Sequence, residues 1–232
     1  MTTTTIEPAP AKRKPLHKVV LRLFLASALF WIPMLIFVGL ANEIKDGDSL
    51  PGDVAILQAI HGLNSPFLDM LARIVTELGG VIIVSLAVAV AVTVLYVKRH
   101  RRPAVFLLFS AAGTALLNVV FKLFFQRERP DLWQHLVTEH SYSFPSGHSM
   151  ISSALAFGVI VLCWQTRYRW LAVAAGGLYF VLVGLSRMYL GVHFPSDVVG
   201  GWCVSFLWIA VLTYVFARFG REQPAKPTSS KV

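Results

Sequence analysis

The sequence predicts an all-α polytopic membrane protein with six transmembrane helices and both termini in the cytoplasm. Three observations carry this. Hydrophobic residues make up 56% of the 232-residue chain and charged residues 14%, with a mean hydropathy of +0.64; soluble domains are about a quarter charged. Six apolar runs approach or exceed the roughly 20 residues needed to cross a bilayer. Fifteen of the 21 Lys and Arg fall in four clusters, at 1–22, 98–102, 167–169 and 218–232, positions that share one side of a six-span chain. The composition excludes a disordered protein, which requires low hydrophobicity and high charge. It also excludes a disulfide scaffold, because the only two cysteines, Cys163 and Cys203, each lie within an apolar run.

Residues 1–18 read as a disordered basic tail. The first span, 19–41, is too long and too weakly bounded for a cleavable signal peptide, and no A-x-A site follows it. In the next loop Asp46, Asp48 and Asp53 lack the spacing and closing Glu of a calcium loop, so they are expected to be solvated. Val54, Leu57, Ile60 and Leu63 fit one face of a short helix lying at the membrane interface. The second span, 72–97, contains GGVIIVSLAVAVAVTVLYV, a β-branched stretch suited to a strand in water. In lipid a lone strand leaves its backbone unpaired, so a helix is expected. Spans at 103–125, 148–165, 169–189 and 197–218 complete a membrane domain over 19–218, and 219–232 reads as a second disordered tail. The positive-inside rule assigns the basic clusters to the cytoplasm. Loops 42–71, 126–147 and 190–196 then share the opposite face. The net charge of +9 does not read as a nucleic-acid surface, because apolar runs separate the basic clusters.

Ionisable residues at the ends of membrane spans are expensive and mark function. Here they share an address. Lys122 ends the third span, Arg129 follows it, His148 opens the fourth, Arg187 ends the fifth, and His193 and Asp197 flank the start of the sixth. Three cations converging without matching acids imply an anion, and the planar donor fork of Arg suits phosphate. In Phe144-Pro145-Ser146-Gly147-His148, Ser146 reads as a helix N-cap and Gly147 permits close backbone approach, a pattern suited to phosphate on a helix N-terminus. The same string also fits a plain capping turn. Asp197, four residues after His193 and in the first turn of a helix opened by Pro195, can reach one imidazole nitrogen, leaving the other as a nucleophile. His148 is then placed to protonate a leaving group. No metal-binding pattern is present, and no metal is expected. His135 and His140 read as solvated loop residues; Glu77, Glu128, Asp131 and Glu139 are candidate partners for the cations that the sequence leaves unassigned.

Lys122-x6-Arg129-Pro130, then Pro145-Ser146-Gly147-His148, then Ser186-Arg187-x5-His193-x3-Asp197 resemble the three-part signature of the type-2 phosphatidic acid phosphatase family, matching at all eleven specified positions. The flanks, including Arg127 in RERP, SFPSGHSM and SRMYLGVHFPSDVVGG, are similar to its bacterial members. The signature covers 122–197, and the six-span hydropathy extends the likeness over most of the chain. The resemblance implies metal-independent, cofactor-free hydrolysis of a lipid phosphate through a phosphohistidine, at the extracytoplasmic face of a bacterial plasma membrane. It makes His193 the nucleophile, Asp197 its orienting partner and His148 the general acid. Lys122, Arg129, Arg187, Ser146 and Gly147 would bind the phosphate, and Ser186 would contribute a hydrogen bond. Expected substrates are undecaprenyl pyrophosphate, phosphatidylglycerol phosphate, phosphatidic acid or diacylglycerol pyrophosphate. The alternatives are phosphotransfer to another lipid such as lipid A, a vanadium-dependent haloperoxidase (disfavoured by the six spans), and a lipid transporter or inactive lipid-binding protein (disfavoured by the intact signature).

Overall fold

The computed structural model describes residues 16–46, 50, 52–134 and 136–219. The tails expected to be disordered lie outside these residues except for 16–18 and 219, which are helical; Asp48 and His135 also lie outside them. Eight helices and no strands occur among the described residues: α1 (Leu16–Lys45), α2 (Asp53–His61), α3 (Pro66–Leu78), α4 (Val81–Val97), α5 (Arg101–Phe125), α6 (Gly147–Cys163), α7 (Arg169–Tyr189) and α8 (Pro195–Phe219).

Helix α6 is the centre of the bundle. It packs against α4, α5, α7 and α8, while α1 flanks α8 and α5. Phe106, Ala154, Ile209 and Leu212 join α5, α6 and α8 in one buried cluster, and Val84, Val88 and Ile151 join α4 to α6. Buried Ser152 and Ser153 donate their hydroxyls back to the Ser149 carbonyl, so the helix carries them without an unpaired polar group. Large apolar side chains point outward instead: Leu86, Leu116 and Trp170 are each more than 60% exposed. So broad an apolar exterior fits lipid rather than water. Among the described residues four helices are long and apolar enough to cross a membrane by length and composition: α1 over Ser27–Lys45, α5, α7, and α8 over Pro195–Arg218. Together they make this a multi-pass membrane protein.

The second expected span is not one helix. It begins earlier, at Pro66, where Ser65 accepts from the Leu68 N–H as N-cap, and it breaks at Gly79-Gly80, so that α3 and α4 are bent by 42°. The break has a packing cause. A Cβ on Gly79 would stand 2.4 Å from Val183 Cγ1, so the corner presses against α7 where only hydrogen fits. The β-branched stretch after the break is helical, as the lipid argument requires. Helix α6, with 17 residues, is shorter than a usual span; its first two turns are buried in protein rather than facing lipid.

Helix α2 departs from the interfacial stripe expected of it. Leu57 is fully buried against Met188 and Val198, with Ile60 beside it, whereas Val54 and Leu63 remain exposed. The helix therefore docks on α7 and α8 through half of its apolar face.

Candidate active site

The loop after α5, the start of α6, the turn after α7 and the start of α8 meet at one end of the bundle. Phe144 anchors this junction: fully buried, it stacks on Phe37 at 5.9 Å and edge-on to Phe125 at 4.9 Å. Helix α8 comes close enough that a Cβ on Gly200 would stand 2.4 Å from the Phe144 ring. The Ser146 N–H donates to the Asp197 carbonyl at 3.0 Å, joining the starts of α6 and α8. Its hydroxyl accepts from the Ser149 N–H, so Ser146 is the N-cap that the sequence indicates. Both groups are thus engaged in structure. The N–H groups of Gly147 and His148, in the first helical turn, have no acceptor further back in the helix.

His193 is 1% exposed and held from both sides. Arg129 places Nη1 3.0 Å from its Nε2. A guanidinium can only donate, so Nε2 carries a lone pair and the proton sits on Nδ1. Nδ1 faces Asp197 Oδ2 at 3.4 Å and Ser143 Oγ at 3.3 Å. The imidazole is therefore neutral, with the lone pair of Nε2 facing Arg129. Burial, followed by the charges of Arg187, Arg129 and Lys122, holds its pKa well below the usual imidazole value.

Asp197 is wholly buried and fully satisfied. The Ser143 hydroxyl and the Phe194 N–H donate to Oδ2, and Arg127 donates to Oδ1 at 2.5 Å. Arg127 also donates to Ser196 Oγ at 2.7 Å and to Asp53 Oδ2 at 2.8 Å, while its guanidinium lies over the Phe194 ring at 4.3 Å. Asp53 is 5% exposed and accepts from the Ser196 N–H at 3.0 Å, supplying an acceptor to the first turn of α8. It is not the solvated loop residue expected from the sequence, because it is the counter-charge for Arg127. Asp46 is exposed, as expected.

The three expected cations converge by different routes. Lys122 donates to Ser141 Oγ at 3.2 Å and to the Tyr142 carbonyl. Arg129 donates to the Ser141 carbonyl at 2.8 Å and the Val192 carbonyl at 2.7 Å. Arg187, 1% exposed, donates to Thr76 Oγ1 at 2.8 Å and to Glu139, and its Nε is buried without a partner. The second oxygen of Glu139 faces Arg129 at 3.5 Å. Burial alone would raise the Glu139 carboxyl, but Arg187 and Arg129 outweigh it and hold the pKa below the usual carboxylate value. His148 lies within electrostatic range of Arg187, Glu139, Arg129 and Lys122. Ser186 instead turns its hydroxyl to the Val183 carbonyl of its own helix. His140 is exposed, as expected.

A cavity of about 630 Å³ opens onto this cluster, lined by Lys122, Arg129, Glu139 and the 140–142 segment. His193 and Arg187 do not line it; each touches a residue that does. No group of three or more His, Cys, Asp or Glu placed to hold a metal occurs among the described residues. The arrangement suits in-line attack by Nε2 on a tetrahedral oxyanion held by guanidinium and ammonium groups.

The structure brings His193, Asp197, Arg129, Lys122, Arg187 and His148 together. Sequence reasoning missed Ser143, Thr76, Asp53 and the link from Arg127 to Asp197, and it left Glu139 unassigned. Arg127 did carry a signal, its place in RERP two residues before Arg129.

The turn bearing His193 depends on Gly191. Its φ is +74°, and a Cβ there would stand 2.6 Å from Trp133 Nε1. Gly191→Ala is expected to cost about 1–3 kcal/mol of stability and to lower kcat/KM roughly tenfold or more by displacing His193. Thermal unfolding in detergent and phosphate-release kinetics check this; unchanged kinetics would show that the turn tolerates the shift.

The family model described as "PAP2 superfamily" matches residues 103–221. Phosphatidylglycerophosphatase B of Bacillus subtilis (strain 168) is 33% identical over 179 residues, covering 75% of this chain and 87% of the relative. An undecaprenyl-diphosphatase of Sulfolobus acidocaldarius is 30% identical over 194 residues, covering 79% and 89%. Among solved structures, the transmembrane PAP2-type phosphatidylglycerolphosphate phosphatase from Bacillus subtilis superposes with a TM-score of 0.72 at 27% identity, covering 85% of this chain and 98% of that one.

Proposed function

The chain belongs to the PAP2 superfamily and is a phosphatase, and from that premise we propose that it hydrolyses a membrane lipid phosphate or pyrophosphate through a phosphohistidine on His193. The observation that carries the reading is the His193 tautomer, with Nδ1–H toward Asp197 and the Nε2 lone pair toward Arg129. Nε2 attacks phosphorus while Arg129, Arg187, Lys122 and the Gly147 and His148 N–H groups hold the non-bridging oxygens. The bond to the lipid oxygen breaks as His148 supplies its proton. The deprotonated His148 then takes a proton from water, whose oxygen attacks the phosphohistidine. Inorganic phosphate and neutral His193 are regenerated.

Domain 19–218 crosses the membrane six times, as α1, the α3–α4 pair, α5, α6, α7 and α8, with the site on the extracytoplasmic face of a bacterial plasma membrane. Single cysteines at Asp131 and Arg99, in a background without Cys163 and Cys203, test the sidedness. A membrane-impermeant maleimide is expected to label position 131 in intact cells, and position 99 only after permeabilisation. The reverse pattern would overturn the orientation.

The substrate class follows from an anion site beside an apolar exterior, and from relatives named for phosphatidylglycerophosphate and undecaprenyl diphosphate. The experiment is phosphate release by the purified, detergent-solubilised protein. The panel is undecaprenyl pyrophosphate, phosphatidylglycerol phosphate and phosphatidic acid in EDTA, with His193→Ala as control. Release that resists EDTA and requires His193 is expected. Phosphate moved to an added acceptor lipid, with little set free, would replace hydrolysis with transfer.

A further inference from the structure

Arg187 poses a problem in the free protein. A guanidinium 1% exposed needs a counter-charge, and an unpaired buried charge is strongly destabilising. Thr76 contributes only a neutral oxygen. Glu139 contributes the charge, giving one carboxylate oxygen to Arg187 and facing Arg129 with the other. These two arginines belong to the set that holds the phosphate in the proposed reaction. Carboxylate and phosphate accept from a guanidinium in the same forked manner. A single anion bridging two such arginines therefore occupies ground that a phosphoryl group needs. Glu139 also lines the cavity and contacts buried Arg187, which does not line it. It comes from the 126–146 loop rather than from a helix, and its side chain is 23% exposed, so it has room to withdraw.

We propose that Glu139 is an affinity-setting residue that stands in for phosphate in the free protein, leaves the arginine pair when a phosphate group enters, and returns to expel inorganic phosphate after turnover. This rests on the reading of the cation cluster as the phosphate site. A site with three cations and no competing anion would retain its product. With Glu139 present, phosphate binding must displace one charge-assisted pair, and the ligand and the carboxylate weaken each other by the same factor.

The test is inhibition of lipid phosphate hydrolysis by inorganic phosphate and by orthovanadate, comparing wild type, Glu139→Gln, Glu139→Asp and Asp131→Asn in detergent. For Glu139→Gln, both inhibition constants are expected to tighten by roughly tenfold, toward the lower end of ordinary site-to-site coupling. The KM for the lipid phosphate is expected to fall in parallel, which separates the headgroup arm from the free-anion arm. Glu139→Asp should tighten both constants less, and Asp131→Asn, which removes an exposed charge from the same loop, should leave them unchanged. Without phosphate, Glu139→Gln should melt below wild type, and vanadate should raise its Tm by more. If Glu139→Gln does not fold, the Glu139→Asp constants decide. Unchanged or weaker inhibition in an active protein would overturn the proposal and make Glu139 a scaffold for the arginines. A folded wild type that neither releases phosphate nor binds vanadate would overturn the phosphatase reading together with it.

Discussion

Replacing His193 with Ala is expected to abolish turnover, lowering kcat by roughly 10⁴-fold or more, the scale on which enzymes lose activity with their nucleophile. The variant should still fold. His193 is buried, but its partners Asp197 and Arg129 keep other contacts, to Arg127, Ser143 and the Ser141 and Val192 carbonyls. Rapid mixing with radiolabelled lipid phosphate and an alkaline quench should leave label on wild type and none on the variant. The pH profile adds a second check. In the proposed reaction His193 attacks only when neutral, and burial together with Arg187, Arg129 and Lys122 lowers its pKa. The neutral form therefore persists as pH falls through the ordinary imidazole value near 6.5, and this group should not cut kcat/KM until more acidic pH. Wild-type activity in His193→Ala would refute the phosphohistidine.

Arg127→Met is expected to show the largest loss of stability. Arg127 is the counter-charge for two buried carboxylates, Asp197 and Asp53, whose side chains are 0% and 7% exposed. Removing it leaves both with hydrogen bonds but no cation in contact. Stripping one partner from a buried ion pair costs about 3–5 kcal/mol. The same change frees Asp197 to turn away from Nδ1 of His193, so kcat should fall more than KM rises. Asp53→Asn separates the two effects: it keeps Arg127 on Asp197, and should lower the melting temperature with a much smaller change in kcat. Equal kcat losses in the two variants would mean that Arg127 acts only through folding.

The chemistry-bearing residues were legible because their spacing in sequence is short and their membrane face is shared. His193 and Asp197 lie one helical turn apart, and the contact between them follows from the start of α8. Hydropathy and charge asymmetry place Lys122, Arg129, His148 and Arg187 on one face. Ser146 was legible as a cap because capping is local. Asp53 was not: it reaches Ser196 across 143 positions, and nothing beside it in sequence distinguishes it from Asp46. Thr76 meets Arg187 across 111 positions, and Ser143 meets Asp197 across 54. The break between α3 and α4 had a visible signal in Gly79-Gly80. Its necessity comes from Val183, a hundred residues on, which no local pattern reports.

The sequence by itself determined that the chain is a helical membrane protein and that His193, Asp197, His148, Lys122, Arg129 and Arg187 share one face. Span length, capping and one-turn spacing are local, and hydrocarbon leaves the backbone few alternatives. Only the tertiary structure decided how the arginines are paired and how Asp197 is held, through Glu139 on Arg187 and Arg129 and through Arg127 between Asp53 and Asp197. The physical reason is that a buried charge requires a counter-charge at contact distance. Which residue supplies it depends on how distant helices pack, and the periodicity of any single helix carries no record of that.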